Sequence, residues 1–153
     1  LALLDEGLRA NPDAGDRLII EITESSAMLD PGRTLAFMNR VRGQGCAFAL
    51  DDFGAGYTSF KHFKDFRFDA VKIDGSFVGG IARNEDNQLL LRTLVSIAEH
   101  FSMFTVAEFV EDAEDAEHLR RMGVDCLQGY LTGAPQLRPG WLERREPARM
   151  IGA

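Results

Sequence analysis

Five short apolar runs, each giving way to polar residues and then to a helical stretch, restrict this chain more than any other feature. They are LIIEI (Leu18–Ile22), CAFAL (Cys46–Leu50), DAVKI (Asp69–Ile73), MFTVA (Met103–Ala107) and VDCL (Val124–Leu127). Helix signals fall between them. Asp30-Pro31 is an N-cap followed by a first-turn proline. Leu35, Met38 and Val41 keep helical spacing, and Gly43 can close that helix. A short helical piece runs from Thr58 to about Phe66. Asn84 can cap a long helix with apolar residues at 90, 91, 94, 97, 98 and 101, and Asp112 opens another that Gly123 ends. Strand–helix alternation predicts an α/β fold with parallel strands and right-handed crossovers. Two architectures satisfy it: a five-stranded open sheet, or part of an eight-stranded (β/α) barrel, which needs about 250 residues when complete. At 153 residues with five strands, the chain cannot close such a barrel alone.

Composition narrows the function. A formal net charge of −7 argues against binding to nucleic acid or an anionic membrane surface. It suits an acidic site that takes metal ions. Cys46 and Cys126 sit in apolar runs and are expected to be small buried thiols. No apolar run approaches the ~20 residues needed to span a bilayer, and no signal peptide is visible. The expected compartment is the cytoplasm, with a membrane anchor possible elsewhere in a parent protein. The opening residues LALLDEGLRA look like the middle of an amphipathic helix, so a longer protein is expected.

Function in either architecture collects at the C-terminal ends of the strands. Glu21 and Glu24 stand there on the first strand, Asp51 and Asp52 on the second, and Lys72 and Asp74 on the third. Glu108 and Glu111 follow the fourth, and Gln128 the fifth. Glu21, Glu24, Asp51, Asp52, Glu108 and Glu111 supply six carboxylates, with no His or Cys among them. Oxygen-only donors select hard divalent ions, Mg²⁺ or Mn²⁺. Adjacent Asp51 and Asp52 repel each other, and a pair of cations offsets that repulsion. Two such ions about 3.5–4 Å apart form a clamp for in-line displacement at phosphorus. Five strands spaced about 4.8 Å apart would spread these groups over roughly 19 Å of a flat sheet. Curvature brings the strand ends together, so the ligand pattern favours a barrel or a large arc of one. Gly54 and Gly56 read as a tight turn. His62, His100 and His118 receive no role, and the phenylalanines are assigned mostly to the core.

The blocks EITES, LDDFGAGYTSF, VKIDGSFV, VAEFVED and LQGYLTGAP, in this order, resemble the signature blocks of the EAL domain family. The resemblance implies a modified (β/α)8 TIM-type barrel, of which this chain is about the last five βα units. Residues 1–138 would be the C-terminal portion of an EAL domain and 139–153 a tail. It implies a metal-dependent phosphodiesterase that opens cyclic di-GMP to linear pGpG, with a two-metal Mg²⁺ or Mn²⁺ site. Glu21 matches a metal-binding glutamate, Asp51 the carboxylate shared by both metals, and Asp52 a ligand of the second. Lys72 matches the lysine that orients the attacking water. Glu108 matches a glutamate serving the second metal or acting as general base. Glu24 matches a residue holding the DDFG loop, and Asp74, Glu111 and Gln128 are further substrate-binding or loop-supporting positions. Upstream sensor or cyclase-type domains and a homodimer are the implied partners.

Two departures stand out. The Glu-Ala-Leu segment and an asparagine on the following strand, both metal ligands in the family, are absent and would lie before Leu1. Phe109 replaces a glycine of the family pattern, at a place where glycine serves a positive φ or a close ligand. Ala55 stands for threonine. These departures raise an alternative: a degenerate, non-catalytic module that binds cyclic di-GMP or another protein.

Overall fold

The computed structural model describes residues 2–54 and 61–137. Ala55, Gly56, the start of the expected helix at Thr58 and the 139–153 tail lie outside the described residues. The chain opens with helix α1 (Ala2–Ala10) and a 3-10 segment (Pro12–Arg17). Strand β1 (Ile19–Thr23) leads into α2 (Glu24–Leu29) and α3 (Pro31–Arg42). Next come β2 (Ala47–Phe53), α4 (Lys61–Phe66), β3 (Ala70–Ile73) and α5 (Gly75–Val78). After a second 3-10 turn (Ile81–Arg83) follow α6 (Glu85–His100), β4 (Phe104–Ala107), α7 (Ala113–Arg121) and β5 (Cys126–Leu127).

The strands form one parallel sheet in chain order, β1-β2-β3-β4-β5. The expected caps are present. Asp30 accepts from the Arg33 amide, Asn84 from the Asn87 amide, and Asp112 from the amides of Glu114 and Asp115. Helices α2 and α5 were not anticipated. Each begins directly at a strand end and is too short for a 3.6-residue pattern to register.

Strand alternation divides the sheet into two unlike faces. Phe48, Leu50, Val71, Ile73 and Ala107 point to the helical side. They are buried there with Met38 and Val41 of α3, Leu91, Leu94, Val95 and Ala98 of α6, and Leu119 of α7. The register puts Ile19, Ala47, Ala49, Ala70, Phe104, Val106 and Cys126 on the opposite face. There Ile19 is 61% and Phe104 47% exposed. This corrects two expectations. Cys126 is an exposed thiol, unlike the buried Cys46, and Phe104 is not core. Leu90 of α6 and Phe101, which caps its end, also lie outside the buried stripe.

Register is held by a repeated device. Asp69, just before β3, accepts the Phe48 amide of β2 at 2.8 Å, and Asp125, just before β5, accepts the Thr105 amide of β4 at 2.8 Å. A one-residue slip would turn every strand side chain to the wrong face, so these bonds decide which side chains reach the functional edge.

Candidate active site

The parallel strands all end at one edge, and three of them bring acidic groups to Lys72. This lysine is on β3, on the same face as Glu21 and Asp51. Its Nζ donates to Glu21 Oε2 at 2.9 Å and ion-pairs with Asp51 Oδ1 and Glu108 Oε1 at 2.8 Å each. Burial opposes the Lys72 charge, but the carboxylates of Asp51, Glu108 and Glu21 outweigh it and hold its pKa well above the usual lysine range. The Glu108 pKa is raised. Burial is the main cause, and Asp51 and Asp52 add to it against the opposing pull of Lys72.

Asp51 and Asp52 raise a geometric problem. Neighbours on a regular strand face opposite sides. Here the β2–β3 register shifts between Leu50 and Phe53, and Asp52 takes a left-handed backbone with φ +55°. A bulge of this kind re-aims side chains. As a result Asp51, Asp52 and Glu108 each present an oxygen within 4.8 Å of the others. The expected strand end at Leu50 is therefore corrected: β2 runs through both aspartates to Phe53.

This set fits a divalent cation. Asp51 Oδ1 is buried and makes no hydrogen bond among the described residues, with the Lys72 ammonium 2.8 Å away as its ion-pair partner. A buried carboxylate oxygen short of hydrogen bonds suits a further cationic partner. All donors are oxygen, which favours hard ions. Glu21 is not one of the three clustered carboxylates. It meets them through Lys72, and its side chain is half exposed.

The remaining expected residues separate by position. Glu24 is buried, and its Oε2 accepts the Gly54 amide at 3.1 Å, next to the aspartates. Asp74 caps α5 through the Ser76 amide at 2.9 Å. Glu111 and Gln128 meet in a pocket of about 220 Å³, with Glu108, Phe109, Tyr130 and Pro135 also in its wall. Phe109 has φ +54° and is 64% exposed, so the positive-φ reason for glycine at this place holds, and Phe109 is not core. Sequence reasoning missed Phe77 and Tyr130. The available signal for Phe77 was Gly54, whose missing Cβ leaves room for the Phe77 ring.

The EAL domain family model matches residues 1–135. The cyclic di-GMP phosphodiesterase PdeF of Escherichia coli is 37% identical over 133 residues, covering 87% of this chain and 18% of that protein. The structure of the PaMucR phosphodiesterase in complex with c-di-GMP superposes with a TM-score of 0.80 at 32% identity, over 86% of this chain and 53% of that one. The Klebsiella pneumoniae BlrP1 complex with manganese and cyclic di-GMP gives a TM-score of 0.79 at 29% identity, over 85% of this chain and 33% of that one. The chain therefore spans under a fifth of the PdeF length and about half of the MucR structure. Among the described residues no helix is long and apolar enough to cross a membrane.

Proposed function

The chain belongs to the EAL domain family, and from that premise we propose that it carries the catalytic edge of a cyclic di-GMP phosphodiesterase yielding linear pGpG. The observation that carries this reading is the convergence of Asp51, Asp52 and Glu108 within 4.8 Å, beside a lysine shared with Glu21. A degenerate binding module has no need to keep these like-charged groups together.

Asp51, Asp52 and Glu108, with Glu21, would hold Mg²⁺ or Mn²⁺. Divalent ions bound there supply an activated water and neutralise the phosphodiester charge. The other steps belong to the chain itself. The Lys72 ammonium orients the carboxylates and offsets negative charge building on the phosphoryl oxygens. Glu108 takes the proton from the attacking water at a carboxylate oxygen. The water oxygen forms a bond to phosphorus, the P–O3′ bond breaks, and the proton passes to the departing 3′ oxygen. Glu24 holds the aspartate turn through Gly54, and the wall with Glu111, Gln128 and Tyr130 receives part of the dinucleotide.

Among the described residues the outer edges of β1 and β5 pair with no strand, and these edges, with the exposed sheet face of Ile19 and Phe104, support a site completed by further barrel strands of the intact protein. Sensor or cyclase-type domains upstream, a dimer and a cytoplasmic setting belong to the same proposal. The test is incubation of the intact protein with cyclic di-GMP and Mn²⁺ or Mg²⁺, with products separated by chromatography. Metal-dependent appearance of pGpG is expected. Intact dinucleotide with either metal would overturn the reading.

A further inference from the structure

We propose that α5 is a strut that sets the spacing between the Asp51–Asp52 turn and Glu108, with Phe77 and Phe109 as positioning residues at its two bearing points. The proposal deepens the metal-site reading above and rests on it for its purpose, not for its geometry.

The carboxylates come from β2 and from the end of β4, and these strands are not neighbours; β3 lies between them. Like charge pushes the groups apart whenever no cation is bound. Lys72 attracts Asp51 and Glu108 from the strand between them, at 2.8 Å each, but leaves the backbone of the two strand ends unlinked. A rigid link between the two strand ends would resist the repulsion, and α5 has contacts with both.

At one end is Gly54, two residues beyond Asp52, with φ +103°. A Cβ placed on Gly54 would run into the Phe77 ring, so this ring of α5 seats directly on the backbone of the turn. Glu24 grips the same residue by its amide. At the other end is Gly75, the first residue of α5. A Cβ there would lie 2.8 Å from Phe109 Cδ2 and 2.9 Å from its Cβ and Cγ, so the Phe109 ring rests on Gly75. Phe109 directly follows Glu108. The two contacts are thus two residues apart on one short helix, which reaches from one set of ligands to the other.

The strut is itself braced. Asp74 caps its first turn, and Asn87 Nδ2 of α6 donates to the carbonyls of Ser76 and Phe77 at 3.2 and 3.3 Å. The backbone at Phe109 adds a further sign. A left-handed conformation is unfavourable for a non-glycine residue, and a ring left 64% exposed recovers little of that through burial. Strain of this kind persists where surrounding structure enforces it, and here it stands beside Glu108.

The test is a substitution cycle on the intact protein, using Gly75→Ala, Phe109→Gly and the double variant, with Phe77→Leu made separately. Two quantities are measured: Mn²⁺ affinity by calorimetry, and amide hydrogen exchange at Gly54 and Glu108 without metal. The Gly75→Ala methyl displaces the Phe109 ring, so Mn²⁺ affinity should fall about tenfold or more, as for other supports of metal ligands. In the Phe109→Gly background the methyl has nothing to displace, and adding it should change nothing. Phe77→Leu should speed exchange at Gly54. Equal effects of Gly75→Ala in both backgrounds, or unchanged exchange at Gly54 in Phe77→Leu, would overturn the strut. Absence of Mn²⁺ binding by the unsubstituted protein, with the exchange changes intact, would overturn the metal reading and leave the strut standing.

Discussion

Lys72 Nζ lies 2.8 Å from Glu108 Oε1, and each side chain is less than one-tenth exposed. The pair bridges β3 and the end of β4 in the buried part of the site. Removing a partner from a buried ion pair strands the other charge, which costs far more than the pair contributes net.

Lys72→Met keeps most of the volume and removes the ammonium from three carboxylates. Without metal, the variant should lose about 3 kcal/mol of stability at neutral pH, read by chemical denaturation. Saturating Mn²⁺ should restore more stability to the variant than to the unsubstituted protein, since a ligand bound to the native state stabilises it. Equal metal gains in both would contradict the shared-cation picture.

Asp51→Asn removes one charge while keeping the shape of the side chain. Supports of metal ligands are worth 10–100-fold in affinity or activity, so loss of a ligand should lower cyclic di-GMP turnover by at least about 100-fold. Calorimetry with Mn²⁺ should show a parallel weakening. Retention of unsubstituted turnover would remove Asp51 from the proposed ligand set.

Glu24→Ala leaves the Gly54 amide without its acceptor. Losing one partner of a buried hydrogen bond costs about 1–3 kcal/mol. The variant should melt at a lower temperature, and Mn²⁺ should bind it more weakly, because the aspartate turn loses one of its holds. Unchanged metal affinity alongside a lowered melting temperature would make Glu24 a fold residue alone.

Asp74→Ala tests the cap of α5 and its pH dependence. The Ser76 hydroxyl, then the Ser76 amide, hold the Asp74 pKa below its ordinary value, against a smaller opposing effect of burial. A depressed carboxyl stabilises the fold above its unfolded pKa, and that stability is lost as pH falls through the native value. Asp74→Ala should therefore cost about 1 kcal/mol at neutral pH. The gap between the two proteins should close as pH drops below about 4. A gap independent of pH would refute the cap assignment.

Much of this was legible in the residues. The five strands appear within a few residues of their expected positions, because alternating strand and helix patterns are local. Asp30, Asn84 and Asp112 cap the helices they were expected to open, for the same reason. The identity of the acidic groups at the strand ends was equally plain, and so was the suspicion that Phe109 occupies a glycine's backbone. Less visible were residues whose role depends on distant partners. Cys126 lies in an apolar run, yet the uncovered sheet face exposes it. Phe77 carries no chemistry of its own and matters only because Gly54 lies beneath its ring.

The residue pattern alone determined the strand–helix alternation, the starts of α3, α6 and α7 and the supply of oxygen ligands, since these depend on local sequence. Only the folded chain decided that Asp51 and Asp52 share a side, that Lys72 sits among three carboxylates, and that α5 touches both ligand-bearing ends. Those arrangements depend on a bulge, a left-handed residue and inter-strand register, and each is set by contacts between segments that no local pattern records.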